Sequence, residues 1–422
     1  MKIVAAILLL LTVSARADTR VLSLAEAQRA AFERNWDLLA AASGVDAATA
    51  QKIVSKEFPN PTLSLSTTYI NMDNHTSATP SGNGVWDRSY DTIVAINQLF
   101  EIGGKRRHRQ TSAAAGFENA RALLLDARRT LAAAVVKAYV ASAQAEENVR
   151  ILLQSAGTLR QEAKIAELRL KAGDISSSDR NRIEIAAEQF ELNAQTAKAA
   201  AAQARVALEV LLGVPRPKGN VTLNDKLETL CAPVPPAGMN DTGDARPDVV
   251  AAEAAMQKAE ADLRLQKAYR IPDPTIMAQY EHQPPDTPQT MGFGVSFPLP
   301  IWNQNRGNIL AAQAARDQAR IAYEKARAQA VADIAVAQLA YDDAAKRWRR
   351  YRESIRPKSE QIRKTMAFAY AKGGASLLDL LSAERDDNDV RVAAAQAAAD
   401  SAVTAAALKA SLATMEVPKP AK

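Results

Sequence analysis

Between Leu131 and Leu170, apolar and small side chains recur at steps of four and three without a break: Leu131, Val135, Ala138, Ser142, Ala145, Val149, Leu152, Ala156, Leu159, Ala163, Ala166 and Leu170. That rhythm is a heptad seam, and its small members let a second helix approach closely. It predicts one helix from about Lys105 to Lys171. A partner helix keeps the same steps from Ile183 through Phe190 and Ala201 to Leu211, and a further stretch repeats them from Ala330 through Tyr341 and Trp348 to Ile355. At about 1.5 Å per residue the first helix extends on the order of 100 Å, too far for a compact domain. The pattern describes coiled coils that span a distance.

Elsewhere the period falls to two. Strands are expected at about 62–69 and 90–98, and again at about 275–281 and 291–297. Leu63, Leu65 and Tyr69 share one face with serines opposite; Met291, Phe293, Val295 and Phe297 share one face with Gly292, Gly294 and Ser296 opposite. Apolar-out, polar-in alternation is what a lipid-facing barrel around water requires. A half-buried soluble sheet alternates in the same way, so the pattern alone leaves both readings open. Helices are expected before each strand pair, over Ser23 to Lys56, with Ser23 as cap and Glu26 three residues on, and over Pro247 to Tyr269.

The order helix, strand, loop, strand, long helix, tight turn, helix therefore occurs twice. Phe58-Pro59-Asn60-Pro61 corresponds to Ile271-Pro272-Asp273-Pro274 at an offset of 213, and Ala172-Gly173-Asp174-Ile175-Ser176 to Lys372-Gly373-Gly374-Ala375-Ser376 at an offset of 200. The shortfall lies in the first hairpin loop, where Asn71 to Arg88 outgrows Glu281 to Gln289. We place the first repeat at 18–213, a Pro-, Gly- and Asn-rich linker or small belt at 214–245, the second repeat at 246–416 and a tail at 417–422. Gly157 and Pro357 hold equivalent positions in the two longest helical runs, where each weakens or bends a helix. They are candidate bends that let the coils taper.

Composition narrows the class. Aromatics make up 5% of the 422 residues and hydrophobic residues 47%, mostly alanine, which suits long packed helices and not a thick globular core. Lys2, the apolar run Ile3 to Leu11 and Ala15-Arg16-Ala17 read as a secretory signal peptide over residues 1–17, the apolar run being well short of a spanning helix. The formal charge of +6, or +4 without Lys2 and Arg16, is small beside 53 basic and 47 acidic residues and gives no support to nucleic-acid binding. Cys231 is the single cysteine and does not follow the signal peptide, so no lipid anchor is expected. His75, His108 and His282 lack metal-ligand spacing. Gly103-Gly104-Lys105 lacks the spacing of a phosphate loop, and Asp386, Asp387 and Asp389 read as a charged helix face and not a calcium loop. No catalytic residue, metal site or cofactor is expected.

Four strands cannot close a transmembrane barrel, which needs about eight, so several chains must contribute. At this point the motifs acquire a common source. Phe58-Pro59-Asn60-Pro61, Gln98 to Arg106, Arg246-Pro247-Asp248, Ile271 to Pro274, Phe297 to Gly307 and Ala371 to Leu381, in this order, resemble the TolC-like outer-membrane efflux family in its heavy-metal (cobalt-zinc-cadmium type) resistance branch. The resemblance implies a mainly α protein with a small membrane β-part: a homotrimer whose twelve-stranded β-barrel continues into a periplasmic α-barrel of long antiparallel coiled-coil helices. It implies docking to a periplasmic adaptor (a membrane fusion protein) and an inner-membrane pump of the resistance-nodulation-division (RND) type. The docking turns would be Lys171-Ala172-Gly173-Asp174 and Lys372-Gly373-Gly374-Ala375. Family members often carry two acidic residues one helical turn apart that narrow the closed pore; here Asp379 holds the first position and Ser382 the second. A duct for drugs or secreted polypeptides would share this architecture, and a soluble periplasmic coiled-coil adaptor or scaffold is the rival from another class.

Overall fold

A computed structural model of the chain describes residues 21–68, 91–235, 243–283 and 287–414. The expected signal peptide, the loop 71–88 with His75, and the tail 417–422 lie outside the described residues. In chain order the elements are β1 (Val21–Leu22), α1 (Leu24–Arg34), α2 (Trp36–Val54), β2 (Thr62–Thr68), β3 (Asp91–Leu99), α3 (Lys105–Ala172) and α4 (Ser177–Leu211). After them come β4 (Thr222–Leu223), a 3-10 turn (Leu227–Leu230), α5 (Pro247–Ala268), β5 (Thr275–Gln283), β6 (Thr287–Ser296), α6 (Arg306–Arg350), a π-helical turn (Tyr351–Ile355), α7 (Arg356–Ala371) and α8 (Leu377–Ser411).

The expected helix 23–56 is two helices. Ser23 caps the first as anticipated, its hydroxyl accepting from the Glu26 amide while the Glu26 carboxylate accepts from the Ser23 amide at 2.8 Å. The break comes at Asn35, which takes an extended backbone. Its side-chain oxygen accepts from the Leu38 amide, opening α2, and its side-chain nitrogen donates to the Leu211 carbonyl. A buried amide serving two backbone partners outweighs helix continuity here. The strands β3, β5 and β6 run beyond their expected ends, and Tyr69, expected to end β2, lies outside the described residues.

The described residues form two compact units that cut across the sequence repeats: those within 1–40, 125–246 and 329–422 in one, those within 41–124 and 247–328 in the other. In the first unit every seam position named above for α3 is buried or half-buried, as are the named seam positions of α4 and α6. Val136, Val140, Ile151, Trp348 and the alanines Ala394, Ala395, Ala398, Ala402 and Ala406 belong to one apolar cluster with Leu227 of the 3-10 turn; Ala156, Leu159, Ala187, Phe190 and Leu381 belong to another. The segment after α4 lies against these helices. Its β4 pairs in parallel with β1, and Glu209, 4% exposed, accepts from the four successive amides of Lys218, Gly219, Asn220 and Val221 at 2.6–3.2 Å.

In the second unit the order β2-β3-β5-β6 makes a four-stranded antiparallel sheet. β3 pairs with β5, so the sheet joins the hairpins of the two repeats. The outer sides of β2 and β6 have no partner strand among the described residues.

Candidate channel-forming elements

Strand register decides which side chains share a face, because paired residues project to the same side. Leu63 pairs with Ile96, Ile96 with Ala278 and Ala278 with Phe293; Leu65 leads likewise through Val94 and Tyr280 to Met291. The two stripes read separately in the sequence are thus one apolar face crossing all four strands. It is open to solvent, with Leu63 72% and Phe293 80% exposed. The opposite face is mainly polar, carrying Ser64, Ser66, Asn97, Gln279, Gly292 and Gly294 with Ile93, Ala95 and Met277 among them. A single chain therefore leaves uncovered an apolar surface of the kind that membrane insertion covers.

The segments joining sheet to helices hold one another through the motif residues. Gly103 and Gly104 take φ of +70° and +76°, a turn that side-chain-bearing residues resist, and deliver Lys105 to the start of α3. Lys105 is 2% exposed; its ammonium donates to the Ile271 carbonyl at 2.6 Å and pairs with Asp273 at 2.7 Å. Asp273 also accepts from the Ile102 amide, and Arg109 grips Glu101 through two nitrogens at 2.5 and 2.9 Å. The glycine-lysine motif of one repeat is thus locked to the Ile-Pro-Asp-Pro motif of the other. Sequence reading located both motifs without seeing this pair; a lysine following a strand exit and an aspartate preceding a strand entry are unremarkable apart.

The two tip turns are built alike. After α3, Gly173 (φ +84°) donates to Leu170 O and Asp174 to Arg169 O; after α7, Gly373 (φ +75°) donates to Tyr370 O and Gly374 to Ala369 O. Both are Schellman endings, closed by glycine in the left-handed region. Three residues beyond each glycine, Ser176 and Ser376 cap the next helix, accepting from the amides of Asp179 and Asp379. Lys171, Ala172, Gly173, Asp174, Lys372, Gly373 and Gly374 are all exposed.

Comparison with known proteins now decides the family. The family model described as outer membrane efflux protein matches residues 27–214 and 240–414. The chain belongs to this family. Among curated relatives, the cobalt-zinc-cadmium resistance protein CzcC of Cupriavidus metallidurans is 25% identical over 364 residues, covering 86% of this chain and 83% of CzcC. The nickel and cobalt resistance protein CnrC of the same organism is 27% identical over 308 residues, covering 71% and 70%. A solved structure of CusC, concerned with folding and transmembrane channel formation, superposes with a TM-score of 0.77 at 19% identity, covering 92% of this chain and 91% of CusC. This outer-membrane efflux protein is a channel component and not an enzyme.

Within that family frame the remaining expected residues fall as follows. Asp379 and Ser382 are both exposed on α8. The Asp379 carboxylate accepts from the Ser376 hydroxyl at 2.7 Å and its amide at 3.1 Å, completing a capping box, and these bonds hold its pKa below the usual value. Gly157 lies inside α3, which runs on without interruption, whereas Pro357 is the second residue of α7, directly after the π-helical turn. The expected pair thus occupies unlike local structures. Cys231 is half-buried, its thiol donating to Ala398 O at 3.2 Å and pushed up to about 11 by burial.

One expectation is corrected. Asp386 and Asp389 are exposed, but Asp387 is 3% exposed and Glu384 beside it also 3%. Both pair with Arg363 of α7 at 3.3 Å, and Asp387 accepts from the Ser359 hydroxyl at 3.0 Å. Asn388 accepts from Ser155 of α3, and Arg391 donates to Gln154. The repeat held the missing signal: at the offset of 200, Asp387 corresponds to Ala187, a seam position.

Proposed function

We propose that three copies of this chain form one outer-membrane channel that passes heavy-metal cations outward. The supporting observation is the four-stranded sheet with one apolar face, one mainly polar face and, among the described residues, two open edges. In hydrocarbon each unsatisfied backbone group costs several kcal/mol, so an open edge is not tolerated and the strands must close with others. Joining β6 of one chain to β2 of the next removes every edge, and three chains supply twelve strands, the number that the family resemblance implies. The polar faces then line the lumen, and the long helices continue it into the periplasm, reached after removal of the leader 1–17.

Metal cargo is supported by CzcC and CnrC, resistance proteins for cobalt, zinc and cadmium and for nickel and cobalt. Conduction needs weak, repeated contact and not a tight site. The turns at Lys171, Gly173 and Asp174 and at Lys372, Gly373 and Gly374 meet the adaptor, through which the channel joins an inner-membrane pump of the RND type. Asp379 and Ser382 narrow the pore near these turns, one carboxylate per chain favouring cations over anions. Gly157 and Pro357 serve as bends. The test is to fractionate membranes of cells producing the chain and to measure growth in cobalt, zinc, cadmium and nickel with and without its cognate pump. Expected are an oligomer in the outer membrane that falls to monomer only on heating, and pump-dependent metal tolerance. A soluble monomer contradicts the channel; tolerance raised only towards organic drugs contradicts the cargo.

A further inference from the structure

At one end of the sheet the chain crosses between strand and helix four times. The register places these crossings together, because Thr62 pairs with Asn97, Leu99 with Thr275, and Thr275 with Ser296. Every crossing carries an exposed apolar residue beside the strand and a cation on the helix side of it. Before β2 these are Phe58 and Lys56; after β3, Ile102 and Arg107. Before β5 they are Ile271 and Arg270; after β6, Trp302, 93% exposed, and Arg306.

Among the described residues these cations outnumber the free carboxylates beside them. Two of the three carboxylates in these segments, Asp273 and Glu101, are engaged by Lys105 and Arg109. Among the described residues, Arg107, Arg270 and Arg306 have no carboxylate partner, and Arg106, stacked 3.9 Å from the Phe58 ring centre, donates only to the Lys56 carbonyl. Glu57 is the remaining acid against five cations. The two oppositely charged pairs thus close the turns, and the surplus is all positive.

We infer that this collar binds the phosphates of anionic phospholipids, of the phosphatidylglycerol type, in the leaflet facing the helices. Apolar and aromatic side chains next to the strands suit the boundary of the hydrocarbon, and guanidinium groups on the helix side of them suit the headgroup phosphates. The inference rests on the sheet lying in the membrane, and it adds a headgroup preference that an apolar face alone cannot confer.

The test uses the full chain purified in detergent. It is titrated with phosphatidylglycerol and, separately, phosphatidylcholine of the same acyl chains, and bound lipid is counted by native mass spectrometry; flotation with phosphatidylcholine vesicles is measured in parallel. The wild type is expected to float and to retain phosphatidylglycerol at least tenfold more tightly, given about fivefold per cation near an anionic surface. The triple variant Arg107→Gln, Arg270→Gln, Arg306→Gln should float equally, keep its helical circular dichroism and lose that preference, while the triple Arg→Lys variant keeps it. Floating protein without a headgroup preference, or a preference surviving in the Gln variant, overturns the collar alone. Protein that does not float with the phosphatidylcholine vesicles overturns the membrane reading and the collar with it.

Discussion

The α3–α4 and α7–α8 hairpins end in serine-capped glycine turns and are held at one set of corresponding positions by opposite chemistry. At an offset of 200, Leu159, Ala163 and Ala187 of the first correspond to Ser359, Arg363 and Asp387 of the second. Leu159 and Ala187 of the first trio lie in an apolar cluster with Phe190 and Ala163 is half-buried, whereas the second trio builds a buried ion network that includes Glu384. An apolar seam holds by excluded water and tolerates sliding. A buried guanidinium between two carboxylates fixes one register, and the site becomes unfavourable when that guanidinium is lost. Duplication has therefore preserved the hairpin's ends, which set its geometry, while its middle has diverged in how it is held.

The largest expected effect comes from breaking the network. Arg363→Ala leaves Glu384 and Asp387 buried without a counter-ion and should lower unfolding stability by about 3–5 kcal/mol in denaturant titrations followed by circular dichroism. Transplanting the first hairpin's residues, Ser359→Leu with Arg363→Ala and Asp387→Ala, together with Glu384→Gln to remove the remaining buried charge, should recover most of that loss; no recovery would mean that the two hairpins do not share a seam. Leu159→Ala, in the apolar hairpin, removes a side chain that is 1% exposed and should lower stability by about 3 kcal/mol.

Smaller effects sharpen the likeness of the ends. Ser176→Ala and Ser376→Ala should each lower stability by about 1 kcal/mol, and by similar amounts if the caps are equivalent. The smallest effect depends on pH. Burial raises the Glu384 pKa, with Arg363 opposing. A raised carboxyl contributes stability that is complete below its unfolded value of about 4.3 and is lost as pH rises through the folded value. Glu384→Gln should therefore match the wild type near pH 4 and gain on it as pH rises; a difference independent of pH would show that desolvation is not what shifts this group.

Much of this architecture was legible in the sequence because it repeats at short period. The seam of α3 needs only its own neighbours to declare itself, and the helix was expected at 105–171 against the observed Lys105–Ala172. What escaped depends on partners far along the chain. Asn35 breaks a helix by bonding Leu211, Glu209 takes its partners from backbone amides that no composition reveals, and Lys105 finds Asp273 across the repeats. Asp387 was read with its exposed neighbours because charge usually faces water; only its alignment with Ala187 marks the position as interior.

The central claim, that three sheets join β2 to β6 into one barrel, is tested most directly by cysteine pairs on the polar face. In a Cys231→Ala background, Ser64→Cys or Ser66→Cys on β2 is combined with Thr290→Cys or Ser296→Cys on β6, and outer membranes are oxidised. Within one chain these strands stand three spacings apart, about 14 Å, beyond disulfide reach. The expected result is that at least one combination gives a heat-resistant species of three chains that reductant returns to monomer; absence of any cross-link in all combinations, or products that stop at two chains, would contradict the account.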